Sequence, residues 1–323
     1  MKFIRHVSAR RSLPLAVLVP AAALLAAGPS PASESGGSAG TGAGTRPTVV
    51  LVHGAWADDS GWSEVVRSLQ AEGYPVVATA NPLRGLTGDS AYLAARLRTI
   101  EGPVVLVGHS YGGAVITNAA AGNPNVESLV YIAAFAPDKG ETALELAARY
   151  PGSRLTDDPD APLPTALAAV PLGGGPADVD TYIKPDKFSD VFLSDRLEAD
   201  RAAALAARQR PAHVATSAEA TRAVAWKTIP SWYLVATDDR TIGTDNLRFM
   251  AERAGSTTVE VDAPHAVPET DPDEVTDLIL RAAHGSRPAL AATGAGNGAA
   301  TLGGTAVLAV AGGTALVARS RRT

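Results

Sequence analysis

Residues 104–114 read Val-Val-Leu-Val-Gly-His-Ser-Tyr-Gly-Gly-Ala, an apolar run, a serine flanked by glycines and the start of an amphipathic stretch. Such a run, bounded by glycine and rich in branched residues, predicts a strand buried on both faces. The glycines at 108 and 112 leave room for a tight turn, and the Gly-x-Ser-x-Gly spacing puts the Ser110 hydroxyl at the tip of a strand-to-helix elbow. Ser110 also falls at a helix amino end, where backbone amides and the helix dipole favour developing negative charge.

The same alternation recurs along the chain. Thr48–Val52, Pro75–Thr79, Val104–Val107, Ser128–Ala133, Trp232–Ala236 and Thr257–Val261 read as strands. Gly61–Ala71, Ser90–Ile100, Tyr111–Ala121, Asn246–Ala254 and Pro272–Ala283 read as helices. This order predicts an α/β fold, a mainly parallel sheet flanked by helices, with its site at the carboxyl ends of the strands. Residues 137 to about 225 break the pattern with Pro/Gly/Asp-rich turns and helical pieces such as Leu197–Arg208, and read as an inserted helical cap that adds no clear strand. Its apolar residues Leu163, Leu167, Val170, Val191, Phe192 and Leu197 read as cap core, with a small apolar substrate group as the alternative.

Composition narrows the chemistry. The chain has 323 residues and no cysteine, which excludes disulfides, thiolate metal sites and a cysteine nucleophile. Hydrophobic residues make up 46% and charged residues 19%, with a net charge of -5 and a pI near 5.7. These values argue against disorder and against nucleic acid as a partner. The histidines lack a paired helical spacing and no glycine-rich loop runs into Lys-Ser or Lys-Thr, so neither a metal nor a phosphate-bearing cofactor is expected.

Both ends carry their own signals. Residues 1–32 combine Lys2, Arg5, Arg10 and Arg11 with an apolar run from Leu13 to Ala27 and small residues up to Ala32, the order of a secretory signal peptide. Arg10-Arg11 gives a partial twin-arginine pattern, so Sec and Tat export both stand. Residues 33–46 are Gly/Ser/Thr-rich and read as a flexible linker. In residues 287–323, Ala299–Val317 is uncharged and precedes Arg319, Arg321 and Arg322, which fits a helix of about 30 Å across a membrane with its basic end in the cytoplasm. The expectation is an exported body, 47–286, held at the membrane or cell wall.

A serine hydroxyl needs a base. Of six histidines, His6 lies in the signal peptide, His213 in the cap, His284 at the end of the last helix, and His109 precedes Ser110, where the turn should point it elsewhere. His53 follows the first strand and reads as a structural residue of a loop whose Ala55 amide, with that of Tyr111, can face an oxyanion. His265, in the loop after the last strand, is the candidate base. The orienting acid should follow the preceding strand, so it is Asp238 or Asp239; we assign Asp239, and the other belongs to a solvated turn.

Together the blocks Val50-Leu51-Val52-His53-Gly54-Ala55-Trp56, Gly108-His109-Ser110-Tyr111-Gly112-Gly113, Tyr233-Leu234-Val235-Ala236-Thr237-Asp238-Asp239 and Pro264-His265 make residues 47–284 resemble an α/β-hydrolase. They are close to the small-esterase branch that includes plant methylesterases and hydroxynitrile lyases. The resemblance implies Ser110, His265 and Asp239 as a triad, Ala55 and Tyr111 as oxyanion donors, a small ester as substrate and no cofactor. The lyases of that branch carry threonine at the position of Gly54 and lysine at that of Ala266, so cyanohydrin cleavage is not expected. Dehalogenases and epoxide hydrolases of the fold use an aspartate where Ser110 stands. Cofactor-free haloperoxidase activity, which uses the same triad, and a non-catalytic surface binding protein are the alternatives. In the tail, Leu290-Ala291-Ala292-Thr293-Gly294 resembles the LAxTG sorting signal of class E sortases, which implies a sortase as a partner.

Overall fold

The computed structural model describes residues 46–158 and 160–285. The signal peptide, nearly all of the linker, the sorting pentapeptide and the apolar tail expected from the sequence lie outside these residues.

The chain forms β1 (Thr48–Val52), α1 (Ser63–Ala71), β2 (Val76–Thr79), α2 (Leu86–Leu97), β3 (Val104–His109), α3 (Tyr111–Ala119) and β4 (Val126–Ile132). The inserted segment follows, with α4 (Ala143–Ala147), β5 (Leu167–Pro171), β6 (Val179–Ile183), α5 (Pro185–Leu193), α6 (Ala199–Ala207), β7 (Ala212–His213) and α7 (Ala215–Ala218). Then come β8 (Ser231–Ala236), α8 (Thr244–Arg253), β9 (Thr257–Val261), α9 (Val267–Thr270) and α10 (Pro272–Gly285).

Six strands make one sheet in the order β2-β1-β3-β4-β8-β9, each neighbouring pair parallel. All six residues of β3 are buried, so both its faces are covered, which is why the run Val104–Val107 is continuously apolar instead of alternating. α10 lies against β3, β4 and β8 with α1 packed on it, while α3 lies against β3 and β4 with α2 packed on it. A parallel sheet puts all its strand ends of one kind on one edge. The loops after β1, β3, β8 and β9 therefore open together, and they carry Ala55, Ser110, Asp239 and His265.

The cap differs from expectation in one respect. Its helices form, but β5, β6 and β7 pair antiparallel into a small second sheet where no strand was expected. Leu167-Ala168-Ala169-Val170-Pro171 has neither the alternation nor the β-branched content of a strand, and β7 has only two residues. Pairing with Val179–Ile183 outweighs weak intrinsic preference. The cap has its own apolar cluster of Leu167, Ile183, Phe188, Phe192, Leu193 and Ala202, into which Ala266 packs from the loop after β9. Of the expected cap-core residues, Val191 and Phe192 are buried and Leu197 is partly buried, whereas Val170 is 44% exposed.

Candidate active site

Ser110 joins β3 to α3 with φ 54° and ψ -126°, a left-handed conformation that costs a non-glycine residue roughly 1–3 kcal/mol. Its surroundings impose it. The Ser110 amide donates to Ile132 O at 3.2 Å, and its carbonyl accepts from Gly113 at 2.9 Å and Phe135 at 3.1 Å. Glycine is required around it on steric grounds. A Cβ on Gly112 would fall 2.4 Å from Val52 O, and one on Gly54 would fall 2.5 Å from the Ser110 Cβ. The loop after β1 thus passes directly against the serine. Ser110 is only 4% exposed, because the cap covers it, and does not face open solvent as an uncapped elbow would.

The structure brings Ser110, His265 and Asp239 into line. His265 Nε2 lies 2.8 Å from Ser110 Oγ, and His265 Nδ1 lies 2.7 Å from Asp239 Oδ2. The second oxygen, Asp239 Oδ1, accepts from the amides of Thr241 at 2.8 Å, Ile242 at 2.7 Å and Gly243 at 3.4 Å. Burial pushes the Asp239 carboxyl up, but the His265 charge and these hydrogen bonds outweigh it, and the group is held below the usual carboxylate range. Its neighbour Asp238 points to the surface and pairs with Arg196 and Arg240, both at 3.2 Å.

Ala55 and Tyr111 both border a cavity of about 220 Å³ that opens on Ser110. Among the described residues, no backbone acceptor takes the N–H of Ala55 or that of Tyr111. His53 behaves as a structural residue. Its Nδ1 donates to Gly54 O and its Nε2 accepts from the Asn81 amide, both at 3.0 Å, while Asn81 Nδ2 donates back to His53 O. Burial lowers its pKa and keeps the ring neutral, in the tautomer these contacts require.

The roles of three residues of this site carried no signal in the sequence. His109 was expected to point away from Ser110, and its Nε2 donates to the His265 carbonyl at 2.9 Å, with its ring 4.9 Å from that of His265. Asp89, 1% exposed, accepts from Tyr111 OH at 2.7 Å and from the amides of Arg84 and Gly85 at 3.1 and 3.3 Å. From the sequence it is only an acidic residue near a helix start. Asn81 reads as an ordinary turn residue before proline. Among the described residues no group of histidine, aspartate and glutamate could hold a metal ion.

The model of the alpha/beta hydrolase family matches residues 49–278, and the chain belongs to that family. A carbendazim hydrolyzing esterase from Nocardioides sp. (strain SG-4G) is 36% identical over 110 residues, covering 30% of this chain and 46% of that protein. A pyrethroid hydrolase from Sphingobium wenxiniae (strain DSM 21828 / CGMCC 1.7748 / JZ-1) is 30% identical over 166 residues, 47% of this chain and 56% of that protein. The chain thus spans about half the length of the curated relatives it matches. The crystal structure of polyneuridine aldehyde esterase has the same fold, with a TM-score of 0.61 at 19% identity over 73% of this chain and 99% of that one.

Proposed function

We propose that this protein is a serine hydrolase of small carboxylic esters. The observation that carries the reading is the unbroken line from Ser110 Oγ through both ring nitrogens of His265 to Asp239. In this reading His265 takes the Ser110 proton as the hydroxyl oxygen attacks the ester carbonyl. Asp239 fixes the tautomer with Nδ1–H and stabilises the imidazolium. The oxyanion lies between the amides of Ala55 and Tyr111, each donor contributing about 3 kcal/mol. His265 then returns the proton to the departing alkoxide, and the resulting acyl-Ser110 is hydrolysed by water activated in the same way. The relatives named as esterase and hydrolase support this reading, and the cavity, below the ~300–1,000 Å³ of pockets for drug-sized ligands, supports a small substrate.

A fluorophosphonate probe tests it. The wild type should become labelled at Ser110 and lose turnover of short-chain esters in proportion, and Ser110→Ala should do neither, with its circular dichroism spectrum unchanged. Retention of more than about a tenth of the activity by Ser110→Ala would remove Ser110 from its role.

The same reading includes location. The signal-peptide pattern of residues 1–32 and the pentapeptide, apolar run and arginines of residues 287–323 support an exported enzyme held at the cell surface.

A further inference from the structure

Among the described residues, the lining of the cavity beside Ser110 contains no charged side chain. Seven of its residues carry a side-chain N–H or O–H, and every one of these is already engaged within the protein. Ser110 and Tyr111 are held by His265 and Asp89, as described above. Trp56 Nε1 donates to Thr181 Oγ1 at 3.2 Å, and Thr181 Oγ1 donates onward to Ala212 O at 2.7 Å. Thr216 Oγ1 donates to His213 O at 2.7 Å and Ser217 Oγ to Val214 O at 3.1 Å, so three consecutive carbonyls, 212–214, take hydroxyl hydrogens from the wall. Thr241 Oγ1 donates to Val191 O at 2.8 Å.

A hydroxyl whose hydrogen is fixed on a carbonyl has only lone pairs left for a ligand. Beyond the two oxyanion amides, the side chains of this wall therefore offer apolar surface and acceptors, and no donor or cation. Away from those amides, a ligand acceptor entering here finds no side-chain donor to replace water, and a carboxylate finds no cation, at far greater cost. An N–H group can still be met by a hydroxyl oxygen.

We infer that the cavity selects neutral esters whose non-reacting part is apolar and carries no hydrogen-bond acceptor, an N–H donor being accommodated. The inference rests on the proposed esterase reading and adds the substrate class. It assigns the discrimination to hydroxyls whose polarity would, by residue type alone, suggest a site for polar groups.

Matched methyl esters test it: methyl 2-naphthoate, methyl quinoline-6-carboxylate, methyl indole-5-carboxylate and the anionic monomethyl ester of naphthalene-2,6-dicarboxylic acid. Their kcat/KM would be measured on the full wild-type chain and their affinities for Ser110→Ala by titration calorimetry. The quinoline ester, which differs from the naphthoate by one acceptor nitrogen, should be worse by about tenfold in both measurements. The anionic ester should be worse by roughly a hundredfold or more. The indole ester should stay within about threefold of the naphthoate, its N–H meeting a hydroxyl oxygen. Equal use of the quinoline and naphthoate esters, a preference for the anion, or strong rejection of the indole ester overturns the inference. Binding to Ser110→Ala reads the cavity without turnover. The expected binding order with no hydrolysis by the wild type would therefore retain the cavity's selectivity and overturn the esterase reading instead.

Discussion

His109 donates its Nε2 hydrogen to the backbone carbonyl of His265 at 2.9 Å, so two adjacent residues hold one histidine, Ser110 through its side chain and His109 through its main chain. The His109 ring is buried, edge-on to Trp62 and Phe192 and tilted against His265. Burial, with the positive charge of His265 as the next cause, pulls its pKa down to about 3, so it is neutral across the working range.

We predict that His109 positions His265 through this hydrogen bond. His109→Phe keeps a ring between Trp62 and Phe192 but loses the hydrogen bond, leaving the His265 loop free to shift. The expected result is a kcat lowered by about 10–100-fold with little change in KM, and a matching slowing of phosphonylation at Ser110. A raised KM at unchanged kcat would instead place His109 in substrate binding.

The two aspartates after β8 should separate cleanly. Asp239→Asn leaves an amide against His265 Nδ1, favours the wrong tautomer and should lower kcat by about 10⁴-fold. Asp238→Asn removes half-exposed pairs with Arg196 and Arg240 and should change turnover by less than about threefold, since such pairs contribute ~1 kcal/mol or less. Steady-state kinetics on the two variants decide it, and the reverse ranking would exchange their roles.

That separation also marks what the sequence made legible. Strand order in chain, elbow and acid–base order are local patterns of apolar runs and turn residues, and those places in the fold match expectation closely. β9 spans the expected residues, and β1 does as well. The cap sheet is invisible for the opposite reason: Leu167–Pro171 becomes a strand only by pairing with Val179–Ile183, across a connection that carries no strand pattern of its own. His109 and Asp89 are missed because their meaning lies in contacts across 156 and 22 residues, while their neighbours in sequence suggest only a turn and a helix start.

If Leu290–Gly294 is a sorting signal, the mature protein should be joined to the cell wall through Thr293 after loss of the apolar run behind it. Wall-linked protein should resist hot detergent and be released by muramidase, with no peptide from residues 301–319 in its mass spectrum. Thr293→Ala should trap the uncleaved form in the membrane. Full extraction of the wild type by detergent, with the apolar run intact, would leave a membrane anchor in place of sorting.

Enclosed histidines make stability depend on pH. Unfolded, His109 takes a proton near pH 6.5; folded, it resists one until about pH 3. Between those values the unfolded state binds one more proton than the folded state, so this residue makes stability rise with pH by about 1.4 kcal/mol per unit, levelling off above pH 6.5. His53, also lowered by burial, adds to the slope in the same direction. Asp239, held below its usual range, adds stability above the unfolded carboxylate pKa that is lost as the pH falls through its folded value, extending the decline into stronger acid. Urea unfolding of the wild type at pH 7, 6, 5 and 4 should show the fall. In His109→Phe the slope should be smaller by one proton. That variant leaves the His265 carbonyl without its donor and should be about 1–3 kcal/mol less stable at pH 7, yet the gap should close or reverse by pH 4. Parallel curves for the two proteins would mean that His109 is protonated in the fold.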